Sequence, residues 1–182
     1  MRIFDIEEDR NFAWRVNLIK RTQNFICDLE IDLNQGLSFR ELHDRVETFC
    51  GGCPILILPA PKPLPPDLFG FSFRSDEENN YLILYDPLLT GNELMLVILH
   101  EFGHIVRGDL KGKNRLSLVG VLEFLKNKNS GIYDHISCRG TSGKDLEEEQ
   151  EAEFIGRSLF RCLIDSEEQV FNKVWSNLLG DH

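Results

Sequence analysis

Between Thr90 and Gly108 the chain reads TGNELMLVILHEFGHIVRG, and His100-Glu101-Phe102-Gly103-His104 within it constrains the fold more than any other stretch. Met95, Ile98, Leu99, Phe102, Ile105 and Val106 recur at helical spacing over a broad apolar surface, which predicts a buried helix. Thr90 with Glu93 reads as a capping box, Leu89 with Leu94 as its hydrophobic staple, and Gly108 as the stop. Positions 100 and 104 then project from one face, about one turn apart. Two imidazoles so placed can take two corners of a tetrahedral zinc site. Glu101 can reach a water at an open corner and accept its proton. Polar groups at the centre of an oily helix need partners, or their lost hydration goes uncompensated. A metal ion supplies that partner; ordinary hydrogen-bonded core histidines are the plainer alternative.

A catalytic zinc site needs a third protein ligand. The acidic run from Glu147 to Glu153 opens a helix, capped by Asp145 with Glu148, whose packed face is Ala152, Ile155, Leu159 and Leu163. Glu149 and Glu153, at i and i+4, share a face. Glu149 is thus the expected ligand, with Glu153 orienting a ligating histidine from behind. Glu151, on the opposite side, is the second choice. The alternative for the cluster is a solvated run that complements the helix N-terminus.

The remaining chain suits one domain spanning residues 1–182. N-terminal helices are expected over 1–50: one at 10–31, with Phe12, Val16, Ile19, Ile26 and Leu29 inward, and one opened by Ser38 with Glu41, with Leu42, Val46 and Phe49 inward. Gly51-Gly52 ends the second. A small antiparallel sheet of about three strands is expected over 54–85, from Pro54–Leu58, Leu68–Arg74 and Tyr81–Tyr85. The proline-rich Pro59–Pro66 is a stiff connection between strands, and Cys50 and Cys53 are plain thiols. After the His-Glu helix, a helix is expected at Leu116–Lys126 and a polar loop up to Asp145. The third-ligand and C-terminal helices fill 145–180, the last capped by Ser166 with Gln169. The fold class is therefore α+β, mostly helical, with the sheet preceding the His-Glu helix.

A net charge of −10 argues against direct nucleic-acid binding, which needs clustered lysine and arginine. The longest apolar run, Leu94–Leu99, is too short for a bilayer, and no leader-like segment opens the chain. Five cysteines without a regular framework point to a reducing cytoplasm.

HEFGH followed far downstream by Glu149-Gln150-Glu151-Ala152-Glu153-Phe154-Ile155-Gly156 resembles the ImmA/IrrE family of metallopeptidases. Leu68–Arg74, Asn79–Pro87 and Arg139–Ser142 are similar to one bacterial branch of it. The resemblance covers roughly residues 40–165, with the two motifs specific and the rest looser. It implies a zincin-like fold and a zinc endopeptidase that cuts a helix-turn-helix repressor. It also implies His100, His104 and Glu149 as metal ligands and Glu101 as the catalytic glutamate. Glu153 stands where Asp or Asn is commoner, and Gly156 where Ala is usual.

The expected chemistry is metal-assisted peptide hydrolysis with zinc, or manganese in its place, and Glu101 as proton carrier. Tyr81–Tyr85 is expected to hold an extended substrate by edge pairing. Tyr133, His135 and Arg139 are candidate donors to the oxyanion. The rival is a latent zincin-fold module that controls a transcription factor by docking alone; it has no need of Glu101.

Overall fold

A computed structural model describes residues 4–32, 36–61, 64, 68–75, 79–110 and 146–163, the first nine as backbone. The first helix, α1, runs Phe4–Asp28. Its inward stripe is Leu18, Thr22 and Ile26, continued by Leu29 beyond the helix, whereas Ile19 is 45% exposed. Ile26 and Leu29 are thus inward as expected and Val16 is half-buried, Ile19 is turned out, and the Phe12 side chain lies outside the described residues.

Helix α2, Phe39–Phe49, begins on a complete capping box. The Ser38 hydroxyl accepts the Glu41 N–H, and the Glu41 carboxylate accepts the Ser38 N–H. Leu42 and Val46 are fully buried, while Phe49, expected inward, is 38% exposed at the helix end. Gly51 and Gly52 both adopt positive φ, a backbone open to glycine, and the chain turns there into the sheet.

Three strands follow: β1 Ile55–Pro59, β2 Gly70–Ser75 and β3 Asn80–Tyr85, in spatial order β1-β3-β2. β2 and β3 form an antiparallel pair, but β1 runs parallel to β3, Ile55 opposite Tyr81 and Leu58 opposite Leu84. The sheet is mixed, which corrects the antiparallel expectation. The proline-containing connection after β1 leads to the β2–β3 pair, and β3 returns between the other two strands. Tyr81–Tyr85 is consequently the central strand, paired on both sides, and cannot accept a substrate by edge pairing. Its unbroken burial from Asn80 to Leu84 is what a strand covered on both faces requires. Among the described residues the edge strand beside the next helix is β2.

That helix, α3, spans Gly91–Arg107. Thr90 has extended N-cap backbone but makes no side-chain cap bond, contrary to the expected box. Gly91 enters at φ 55, outside the right-handed helical range, and so does not line the first-turn amides up with the hydroxyl. At the other end Gly108, left-handed at φ 76, donates its N–H to the carbonyls of His104 and Ile105, the expected stop. Residues 146–163 form α4. Ala152, Ile155 and Leu159 are fully buried and Leu163 nearly so, as the spacing predicts.

One core joins these layers. Ile55, Tyr81 and Ile83 on one face of the sheet meet Leu42 and Val46 of α2, Leu99, Phe102 and Ile105 of α3, and Ile155 and Leu159 of α4. The Phe102 ring stacks on Phe39, centroids 6.1 Å apart. No described helix is long and apolar enough to cross a membrane. The helix expected at Leu116–Lys126, the loop with Tyr133, His135 and Arg139, Asp145, and the helix from Ser166 lie outside the described residues.

Candidate metal centre

The position of the site follows from how closely α3 and α4 cross. A β-carbon on Gly103 would lie 2.5 Å from the Ala152 carbonyl oxygen, and one on Gly156 would lie 2.9 Å from the His100 backbone nitrogen. The two backbones touch because each presents a glycine at the crossing. That contact brings Glu149, two turns before Gly156, over the histidine face of α3.

His100 and His104 stand one turn apart, their rings 4.8 Å between centroids and nearly perpendicular. Their Nε2 atoms are 3.1 Å apart, and Glu149 Oε2 lies 3.3 Å from the first and 3.4 Å from the second. Tetrahedral zinc with bonds of about 2.0–2.1 Å holds neighbouring ligand atoms about 3.3–3.4 Å apart. The triangle of donor atoms has nearly that edge. His100, His104 and Glu149 therefore form a group able to hold a metal ion.

The partners of the other ring nitrogens support the same fit. His104 Nδ1 lies 3.0 Å from Asp109 Oδ2; facing a carboxylate, that nitrogen carries the proton and turns the Nε2 lone pair inward. His100 Nδ1 is 3.3 Å from Glu153 Oε2, close enough for an ion pair but out of line for a hydrogen bond, and it has no hydrogen-bond partner among the described residues. Glu153 is also held by Arg157. The expected role of Glu153 is thus met in position, loosely, while Asp109 makes the firmer contact. Two lone pairs and a carboxylate oxygen converging on one point repel unless a cation lies among them.

The electrostatics have the same origin. Burial disfavours the charged form of His104, but bonds to Asp109 and Glu149 outweigh it and raise the imidazole to about 9. For His100 burial again works against protonation, and the Glu149 carboxylate with the Glu101 charge prevails, shifting it upward. Burial would raise Glu149; the two histidines reverse this and hold it far below the usual carboxylate range. The pocket attracts positive charge, whether protons or a divalent ion.

Glu151, the second choice for ligand, points elsewhere. It is buried, accepts from Arg107 and lies 3.2 Å from Arg21 of α1. Arg107 also donates to Asp109 at 2.9 Å. The run His104–Asp109–Arg107–Glu151–Arg21 ties the site to α4 and α1, so this ion-paired glutamate anchors the helix that carries Glu149.

Glu101 is 4% exposed, and its Oε2 accepts the Ser72 hydroxyl at 2.6 Å. Neither Asp109 nor Ser72 stood out in the sequence, yet both left signals. Asp109 directly follows the Gly108 reversal, where a side chain folds back over the last helical turn. Gly70 and Ser72 alternate with Phe71 and Phe73, so two small residues of β2 lie on the face that meets α3.

No family model matches this chain, and no curated protein or solved structure matches it. What the centre can do follows from its own side chains: three donors for one cation, with a buried carboxylate adjoining them along α3.

Proposed function

We propose that this chain is a zinc-dependent endopeptidase of the ImmA/IrrE type, with a zincin-like fold, that cuts a helix-turn-helix transcriptional repressor in the cytoplasm. The observation that carries the reading is the donor triangle of His100, His104 and Glu149, matched in size to a tetrahedral ion, beside Glu101. Two imidazoles and one carboxylate suit zinc, with manganese the second choice, and leave one position open for chemistry. The repressor as substrate rests on the likeness of HEFGH and Glu149–Gly156 to that family.

When bound, zinc supplies a Lewis acid that polarises the scissile carbonyl. Each residue of the chain then has a defined task. Asp109 holds the His104 imidazole with its Nε2 inward, and the Glu153 charge lies behind His100. Glu101 takes a proton from the attacking water and delivers it to the departing amine nitrogen, so the carboxylate ends as it began. The substrate lies extended along β2, which among the described residues is an edge of the sheet, and pairs with its backbone.

The test is incubation of the zinc-loaded protein with the repressor encoded beside it, in parallel with Glu101→Gln. Cleavage by the wild type, lost in Glu101→Gln with zinc still bound, supports the peptidase. A stable complex with no cleavage by either form supports control by docking instead.

A further inference from the structure

Burial of Glu101 raises a question that the metal ligands do not answer. The side chain of a proton carrier needs one oxygen free and a fixed orientation, and a glutamate has three rotatable bonds to restrain. The restraint comes from the sheet. Ser72 of β2, 2% exposed, donates its hydroxyl to Glu101 Oε2 at 2.6 Å, a buried side-chain hydrogen bond from strand to helix. Two residues back along the same strand face, a β-carbon on Gly70 would lie 3.9 Å from Glu101 Oε1 and 2.5 Å from a Val97 methyl. The carboxylate therefore sits under β2 with Oε2 bonded to a side chain and Oε1 beside bare backbone.

We infer that Ser72 is a positioning residue for Glu101, fixing the carboxylate through Oε2 so that Oε1 is the oxygen that exchanges the proton. The inference rests on the peptidase reading. It makes β2 a part of the machinery twice over, since the edge proposed to hold the substrate also orients the proton carrier.

The experiment uses the full chain as wild type, Ser72→Ala, Ser72→Thr, Glu101→Ala and Ser72→Ala with Glu101→Ala. Zinc-free thermal midpoints give the coupling between the two residues without any activity. Ser72→Ala lowers the midpoint by roughly 4–8 °C in the wild type and by under about 1 °C in the Glu101→Ala background. Hydrolysis is read on a mixed-sequence peptide library by mass spectrometry, then kinetically on its best-cleaved member. Ser72→Ala loses roughly 10–100-fold in kcat, with KM and zinc affinity within about twofold of wild type, and Ser72→Thr restores most of it. An active wild type with kcat unchanged in Ser72→Ala, or with kcat and zinc affinity falling while KM rises, overturns the role of Ser72 alone. Equal midpoint losses in both backgrounds overturn it too. A zinc-loaded wild type that cleaves no library member overturns the peptidase reading, and the inference falls with it.

Discussion

Gly103 lies against Ala152 so closely that a single added β-carbon would stand 2.5 Å from the Ala152 carbonyl oxygen. The obstacle is backbone, which cannot swing aside, so Gly103→Ala must push α4 away from α3. Overpacking of this kind costs about 1–3 kcal/mol, more than the roughly 1 kcal/mol that alanine returns in helix propensity. Because the same crossing carries Glu149, the triangle opens as well. Differential scanning fluorimetry should record a lower midpoint, and a competition titration weaker zinc binding. An unchanged zinc affinity would separate the crossing from the site.

Glu149 and Glu151 share the start of α4 but face different partners, and their substitutions should diverge. Glu149→Gln removes a ligand and should abolish tight zinc binding while leaving the fold intact. Glu151→Gln leaves the Arg107 guanidinium with a weaker partner in a buried setting, where breaking a pair costs on the order of 3 kcal/mol. It should lower the melting midpoint clearly, with zinc still bound at saturating concentration. Melting curves and bound-zinc measurements on the two variants check this directly.

Asp109→Asn keeps the shape of the side chain and loses its charge behind His104. Outer partners of metal-bound histidines are typically worth about 10–100-fold in affinity, and the loss should fall in that range. Glu153→Gln should cost less, since its contact with His100 is out of line and it is 47% exposed at the side chain. The order of the two affinities, measured with a chromophoric chelator, is the check.

Acidity should act oppositely on the metal-free and metal-loaded forms. The raised His104 stabilises the metal-free fold fully below about pH 6.5, and that gain is lost as pH climbs through about 9. The depressed Glu149 contributes above about pH 4.5, a gain lost only as pH falls through its lowered pKa. From this cluster, the metal-free chain is therefore steadiest between about pH 4.5 and 6.5. Zinc must displace protons from both imidazoles, so its uptake strengthens as pH rises and releases protons. The midpoint gap between loaded and metal-free protein should widen from about pH 6 to about pH 9. A constant gap would count against histidine ligation.

Much of the centre was legible in the sequence because helices make geometry local. His100, Glu101 and His104 are set by 3.6 residues per turn, and Glu149 with Glu153 by the same period in α4. Strand order was not, because an apolar run such as Tyr81–Tyr85 states that both faces are buried without saying which strands lie beside it. Ser72 and Asp109 escaped for a related reason. One reaches α3 from a strand far back in the chain, and the other acts only once Gly108 has reversed the backbone. The Thr90 cap failed on its neighbour: sequence offered the hydroxyl, and the positive φ of Gly91 turned the amides away from it.

Isothermal titration of the metal-stripped protein with zinc at neutral pH, beside His104→Ala and Glu149→Ala, reaches the central claim most directly. The wild type should bind one zinc per chain tightly, and each substitution should abolish that phase while circular dichroism stays native. A wild type that takes up no zinc, or variants that bind it as well as the wild type, would contradict a metal centre built from His100, His104 and Glu149.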